Sequence, residues 1–333
     1  MNDGGARVLA ALHDAGDRPC SGESLSSALG VSRAQIWKHV GVLRERGYGI
    51  EGTPGGGYRL TKVPDRLYAE EISRGLGTRW LGRRIRYFDE VDSTNRAALD
   101  LARGGAEHGT VVVAETQTAG RGRLGRSFFS PPGQNLYASV VLRPEIDVSA
   151  APTLLLAAGV AVAEAVVEEL GRRDGVELKW PNDLLLGGRK ASGILMELVT
   201  EEARVAYAVL GVGVNLNVDP ASFPDEFRER ATSVAAFAGR PVDRLAFTRR
   251  LFRSLEGVID THGRGGFAAL RGRYDAFFAM VGRLVRVSEV GGKSIEGRVD
   301  GLAESGALLV RRADDRVVTV LAGDVTLRGS PAE

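Results

Sequence analysis

Apolar positions in residues 6–62 follow helical spacing first and strand alternation afterwards. Val8, Leu9 and Leu12 form one helical face, and residues 24–29 predict a second short helix stopped by Gly30. A third helix starts at Ser32, an N-cap with Gln35 three residues on to complete a capping box. Its Ile36, Val40 and Leu43 share a buried face. Residues 48–51 and 58–60 then predict two strands joined by Gly52-Thr53-Pro54-Gly55-Gly56-Gly57, a glycine-tipped wing. Helix, short turn, second helix and wing is an order that lays one helix in a DNA major groove. Ser32, Arg33, Gln35, Trp37, Lys38 and Arg44 are the candidate DNA-contacting residues, with packing as the competing role for Trp37.

Val63-Pro64-Asp65 marks a boundary, after which strands and helices are interspersed. Residues 85–90 predict a strand, and Asp92-Ser93-Thr94-Asn95 leads into a helical pattern over 97–102, putting polar side chains at a strand-to-helix turn. Strands follow at 111–114 and 135–142, then a long helix at 151–170. A hairpin, 184–186 and 194–198, flanks Gly187-Gly188-Arg189-Lys190, with 205–214 as a third antiparallel strand. Helical patterns return at 232–238, 243–261 and 266–279. From 281 onward the pattern is all strand, at 284–287, 295–299, 308–311, 317–321 and 325–327, which predicts a small barrel.

A length of 333 residues suits two or three domains, and 44% hydrophobic with 26% charged residues is an ordinary globular composition. Lysine and arginine outnumber aspartate and glutamate by only 44 to 42, so net charge does not announce a nucleic-acid binder. Locally, residues 31–62 carry six basic side chains against Glu45 and Glu51, an excess that suits phosphate contacts, with a solvated helix face as the competing reading. Cys20 is the only cysteine, which excludes an intrachain disulfide framework and a cysteine-rich zinc site. The amino terminus lacks a signal-peptide pattern, and the most apolar stretch contains Glu164, so a cytoplasmic protein with no membrane span is expected.

The chemistry concentrates at Gly120-Arg121-Gly122-Arg123-Leu124-Gly125-Arg126. Glycines let the backbone approach a ligand, and each guanidinium offers a planar fork that matches phosphate or carboxylate oxygens. The spacing also satisfies the dinucleotide fingerprint, but Ser127-Phe128-Phe129-Ser130-Pro131-Pro132-Gly133 follows in place of the required helix. Gly291-Gly292-Lys293-Ser294 resembles the end of a phosphate-binding Walker loop, yet Val287 stands where its first glycine belongs, and a hairpin turn is expected there. The four histidines, 13, 39, 108 and 262, form no helical metal pair, and no nucleophilic triad is apparent. Together with Lys179-Trp180-Pro181-Asn182-Asp183 and Lys190, the inventory is cations, amides and glycines with one or two carboxylates. That suits phosphoryl or nucleotidyl chemistry, in which a carboxylate can help hold Mg²⁺.

These residues carry a resemblance. Asp92-Ser93-Thr94-Asn95, the 120–126 loop, residues 179–183, Arg189-Lys190-Ala191-Ser192-Gly193-Ile194-Leu195 and Gly211-Val212-Gly213-Val214-Asn215 together resemble the bifunctional biotin-protein ligases that also repress the biotin operon. Ser21-Gly22-Glu23, Ser32-Arg33 and the Gly55-Gly56-Gly57-Tyr58 wing resemble the DNA-binding part of the same family. The resemblance implies an α+β multidomain chain: a winged helix-turn-helix over 1–64, a mixed-sheet α/β ligase domain over 65–279, and a small SH3-like β-barrel over 280–333. It implies a two-step reaction in which biotin and ATP, with Mg²⁺, form biotinyl-adenylate, and biotin then passes to a lysine of a biotin carboxyl carrier protein.

By the same resemblance, Ser93, Thr94, Asn95, Gln117, Arg121, Gly122, Arg123, Lys190, Gly211 and Gly213 contact biotin, with Lys190, Arg123 and Arg121 at the reacting centre. Arg123, Arg126, Phe128, Asn182 and Asn215 serve the nucleotide, and Asp183 the metal. Phe128 departs from the tryptophan common near the adenine in this family, and Leu124 from a basic residue. The implied partners are biotin, ATP, the carrier protein and operator DNA, with the adenylate as corepressor of a ligand-promoted homodimer. Lipoate-type ligases, and metabolite-sensing winged-helix regulators without catalysis, are the alternatives.

Overall fold

The computed structural model describes residues 3–53, 56–288 and 294–327 and divides into two compact units, Met1–Arg66 and Leu67–Glu333. In the first, helices α1 (Asp3–Ala15), α2 (Gly22–Leu29) and α3 (Arg33–Glu45) bury Val8, Leu9, Leu12, Leu25, Ile36, Val40 and Leu43 against one another. Ser32 and Gln35 form the expected capping box, with the Ser32 hydroxyl accepting from Gln35 N at 3.2 Å and Gln35 Oε1 accepting from Ser32 N at 2.8 Å. Strands β1 (Gly49–Thr53) and β2 (Gly57–Lys62) pair antiparallel as the wing. Pro54 and Gly55 of the tip lie outside the described residues.

The second unit is built on a seven-stranded mixed sheet. Helix α4 (Ala69–Ser73) precedes strand β3 (Ile85–Val91), which runs parallel to β4 (Val111–Gln117) through the crossover helix α5 (Thr94–Arg103). The remaining strands are antiparallel to their neighbours: β5 (Leu136–Leu142), β6 (Val176–Lys179), β7 (Asp183–Leu186), β8 (Arg189–Glu201) and β9 (Arg204–Val214), with α6 (Ala151–Leu170) between β5 and β6. The order across the sheet is β3-β4-β5-β9-β8-β7-β6. Alternation sorts the two faces. Val111, Val113, Val140, Leu142, Leu210 and Val212 join the main core with α6, whereas Val112, Val141 and Val209 pack against Ala98 and Ala102 of α5. Residues 148–170 are long and apolar enough to cross a membrane, but 72% of their most apolar window is buried in this core.

Short helices α7 (Asp225–Arg228) and α8 (Val234–Ala238) lead to α9 (Arg244–Gly265), which packs on α6. The helix expected over 266–279 is broken. Gly266, at φ 61°, ends α9, and a 3-10 turn over Phe267–Leu270 precedes the five-residue α10 (Arg271–Asp275). The chain finishes with β10 (Leu284–Ser288), β11 (Ser294–Leu302), β12 (Leu308–Arg311), β13 (Val317–Val320) and β14 (Asp324–Leu327), an antiparallel sheet ordered β13-β12-β11-β10-β14. Among the described residues it is a five-stranded sheet with β13 and β14 at its edges, and no pairing closes the expected barrel. Gly291, Gly292 and Lys293 of the expected hairpin turn lie outside the described residues.

Candidate active site

One cavity of about 590 Å³ opens at the ends of β4, β5, β8 and β9 and along the edge of β14. It gathers Ser93, Thr94, Asn95, Gln117, Arg121, Gly122, Arg123, Arg126, Phe128, Asn182, Asp183, Lys190, Gly211, Gly213 and Asn215, every residue that sequence reasoning assigned to ligand or metal.

The strand-to-helix turn after β3 builds one end. Gln117, the last residue of β4, accepts at Oε1 from Thr94 N at 2.9 Å and from the Thr94 hydroxyl at 3.1 Å, and its Nε2 donates to Ser130 Oγ at 3.0 Å. Ser139 Oγ lies 2.8 Å from Thr94 Oγ1 and 2.7 Å from Asn95 Oδ1, while Asn95 Nδ2 donates to Glu197 Oε2 at 2.9 Å. Each amide is thus held by a second polar group before it meets a ligand. Gly211 is required by this packing, since a Cβ there would fall 2.0 Å from Asn95 Oδ1.

The arginine-glycine segment folds on itself as a compact loop. Gly122 N donates to Arg126 O at 2.7 Å and Phe128 N to Gly120 O at 2.9 Å, around a 3-10 turn over Arg123–Gly125. Leu124 adopts a left-handed backbone (φ 55°) that β-carbon-bearing residues disfavour, and its side chain is exposed. Phe128 leaves the loop to lie across Gly213, where a Cβ would meet the ring at 2.7 Å, and edge-on to Tyr137 with centroids 6.3 Å apart. Burial pushes the Tyr137 phenol well above its ordinary value, so it is a neutral donor, directed at Pro131 O at 3.0 Å.

Each loop cation faces an acceptor outside the loop. Arg121 Nη1 is 3.2 Å from Glu197 Oε1 on β8, and Arg126 pairs with Asp324 on β14. Arg123 Nη1 donates to Asn182 Oδ1 at 3.4 Å and Gly323 O at 3.3 Å. Burial lowers the Arg123 guanidinium from its ordinary value, against the raising influence of Asp324 and then Asp183. Lys190 Nζ lies 2.7 Å from Asp183 Oδ1. Lys190 was expected in the hairpin turn, but Gly187 and Gly188, both at positive φ, complete that turn, and Lys190 belongs to β8. Asn182 donates to Ile194 O at 2.9 Å and Asn215 to Thr232 O at 3.1 Å, leaving the buried Asn215 Oδ1 without a hydrogen-bond partner among the described residues.

Ser139, Glu197, Tyr137, Gly323 and Asp324 were not anticipated. Ser139 carried a signal, as a small hydroxyl side chain in a strand buried on both faces. Beneath the site, Glu115 and Arg244 form a fully buried ion pair at 3.0 Å; Glu115 Oε1 also accepts from Leu67 N at 2.7 Å, and Arg244 Nη1 donates to Asn135 O at 3.1 Å.

In the N-terminal unit, Arg33, Trp37 and Lys38 project from α3 into solvent. Trp37 is 65% exposed, so it does not take the packing role that competed with DNA contact. The Arg44 guanidinium donates to Ile50 O at 3.0 and 2.7 Å, tying α3 to the wing, and Ser32 and Gln35 are engaged in the cap.

Comparison with known proteins agrees with this arrangement. Residues 7–59 match the HTH domain family, 87–215 the biotin/lipoate A/B protein ligase family, and 281–328 the biotin protein ligase C terminal domain. The chain is 36% identical over 320 residues to a bifunctional ligase/repressor of Bacillus subtilis, covering 96% of this chain and 97% of that protein. It is 35% identical to the counterpart from Escherichia coli, covering 93% of each. A biotin protein ligase from Aquifex aeolicus, solved in complex with biotin and ATP, superposes with a TM-score of 0.63 at 29% identity, covering 74% of this chain and 99% of that one.

Proposed function

The chain belongs to the family of bifunctional biotin-protein ligases and repressors, and on that premise we propose how its residues divide the work. The protein is an ATP-dependent biotin ligase that forms biotinyl-5′-AMP, and it represses transcription in response to biotin. The observation that carries the division of labour is the meeting of four cations, Arg121, Arg123, Arg126 and Lys190, with the preordered amides of Asn95 and Gln117 in one cavity.

Ser93, Thr94, Asn95 and Gln117 take the biotin ring system, between walls set by Gly211 and Gly213. Gly122 brings backbone to the acid end, where Lys190, Arg121 and Arg123 neutralise the carboxylate and the α-phosphate. One carboxylate oxygen attacks the α-phosphorus, the bond to pyrophosphate breaks, and the mixed anhydride remains. Bringing two anions together is the main obstacle, so charge neutralisation and positioning carry the first step. The neutral amine of the carrier lysine then attacks the acyl carbon, and AMP leaves.

Arg126, Phe128, Asn182 and Asn215 serve the nucleotide. The unpartnered Asn215 Oδ1 suits a donor on the base, and Phe128 supplies an aromatic face in place of tryptophan. Asp183 fits Mg²⁺: its Oδ1 is buried and, although close to Lys190, lacks an aligned hydrogen bond. Mg²⁺ commonly needs only one or two carboxylates beside substrate phosphates, and here it would offset triphosphate charge.

Residues 1–64, 65–279 and 280–333 are assigned as winged helix-turn-helix, catalytic and SH3-like C-terminal domains. Exposed Arg33, Trp37 and Lys38 are placed at operator DNA, supported by the capped helix and the wing. The adenylate acts as corepressor by promoting a homodimer whose two winged modules engage two half-sites, in the cytoplasm, while a biotin carboxyl carrier protein receives the biotin.

Incubation with biotin, ATP and Mg²⁺, followed by mass spectrometry, tests the enzymatic reading. Biotin-dependent pyrophosphate release with a bound biotinyl-adenylate is expected. Equal use of lipoate would favour the lipoate-type alternative, and binding without pyrophosphate a purely sensing regulator.

A further inference from the structure

The cavity is built for anions, yet a carboxylate from the C-terminal sheet projects into it. Asp324 opens β14, its side chain is 18% exposed, and it pairs with Arg126. The residue before it, Gly323, accepts from Arg123 through its carbonyl at 3.3 Å. Two of the three loop arginines are therefore gripped by one short stretch of a sheet about two hundred positions away, whereas Arg121 is held separately by Glu197.

A negative group beside a triphosphate repels it, so Asp324 favours binding only by acting on the arginines. A guanidinium has five N–H groups in a planar fork and can be held on one edge while another faces a phosphate. Ordering a long, rotamer-rich side chain before the ligand arrives removes that ordering loss from the binding step. The polar side chains at the other end of the cavity, Thr94, Asn95 and Gln117, are held by Ser130, Ser139 and Glu197, none of them on β14.

We infer that Asp324 is a positioning residue for the nucleotide half of the reaction, holding Arg126 and Arg123 where the phosphates of ATP bind. The inference rests on the assignment of the loop arginines to the nucleotide. Steady-state pyrophosphate release by the full-length protein, varying ATP and biotin in turn, tests it in Asp324→Asn, Asp324→Glu and Arg126→Ala. Asp324→Asn should raise KM for ATP about tenfold, the scale of one charge-assisted contact, and change KM for biotin less than about twofold. Asp324→Glu should recover most of the loss. Should the asparagine variant fail to fold, Asp324→Ser is read in the same way. An unchanged or lower KM for ATP, an equal rise in both constants, or recovery by excess Mg²⁺ overturns the inference. If Arg126→Ala weakens ATP while Asp324→Asn does not, the positioning role alone falls; if neither does, the loop assignment falls with it.

Discussion

The ring of Phe128 rests on the backbone of Gly213, so closely that a single added methyl carbon would fall 2.7 Å from two ring atoms. Phe128 follows the arginine-bearing loop, and Gly213 lies on β9 at the centre of the sheet. The contact therefore fixes where the loop rejoins the scaffold.

Gly213→Ala should displace Phe128 and cost about 1–3 kcal/mol of stability, as overpacking does, with a larger proportional loss of adenylate formation. Urea unfolding and biotin-dependent pyrophosphate release measure the two effects. Normal turnover with the alanine in place would show that the ring's position is irrelevant to the reaction.

Ser139→Ala removes the hydroxyl that joins Thr94 to Asn95. Biotin affinity should fall by roughly 1–3 kcal/mol, the range for a buried polar group that loses its partner. Calorimetric titration with biotin alone reads this directly, and an unchanged Kd would contradict the ordering assigned to Ser139.

Much of this arrangement was legible in the chain, for definable reasons. The capping box at Ser32 and Gln35 is a local signal and appeared as expected. The ligand-facing loop was marked by its own composition, and its neighbours by short motifs at strand ends. Asp324 and Gly323 had no such mark, because their importance depends on a tertiary contact 200 positions from Arg123. Trp37 carried two readings, DNA contact and packing, and its exposure removes the second, because α3 fills its inward face with Ile36, Val40 and Leu43. The helix expected over 266–279 is shorter than its apolar spacing suggested: Phe267–Leu270 form a 3-10 turn and α10 stops at Asp275.

The buried pair Glu115–Arg244 gives a stability expectation. Glu115→Gln should destabilise by about 3–5 kcal/mol, because Arg244 is left as an uncompensated buried charge. Replacing both by apolar residues of similar volume, as in Glu115→Leu with Arg244→Met, should cost less than the single change. A double-mutant cycle in urea checks the coupling, and additive losses would deny it.

His262 sets a pH dependence. Burial lowers its pKa, and the Thr153 hydroxyl donates to Ala150 O at 2.6 Å, so His262 Nε2, 2.8 Å from Thr153 Oγ1, is the donor of a neutral ring. The unfolded chain takes up this proton at a higher pH than the folded one. The contribution is therefore complete above the ordinary histidine value, about 6.5, and is lost as pH falls from there toward the lower folded value. Unfolding free energy from pH 8 to 5 should decline less steeply in His262→Gln than in the parent; parallel curves would exclude the assignment.

Arg123 is assigned to the carboxylate and phosphate of the reacting pair, so the 120–126 loop should also hold the biotinyl-5′-AMP that they form. The direct measurement is the dissociation rate of preformed biotinyl-5′-AMP from the parent protein and from Arg123→Ala, followed by rapid filtration and chromatography of the released nucleotide. Loss of a charge-assisted contact should speed release about tenfold or more while the fold is retained. Equal release from the two proteins would contradict the claim.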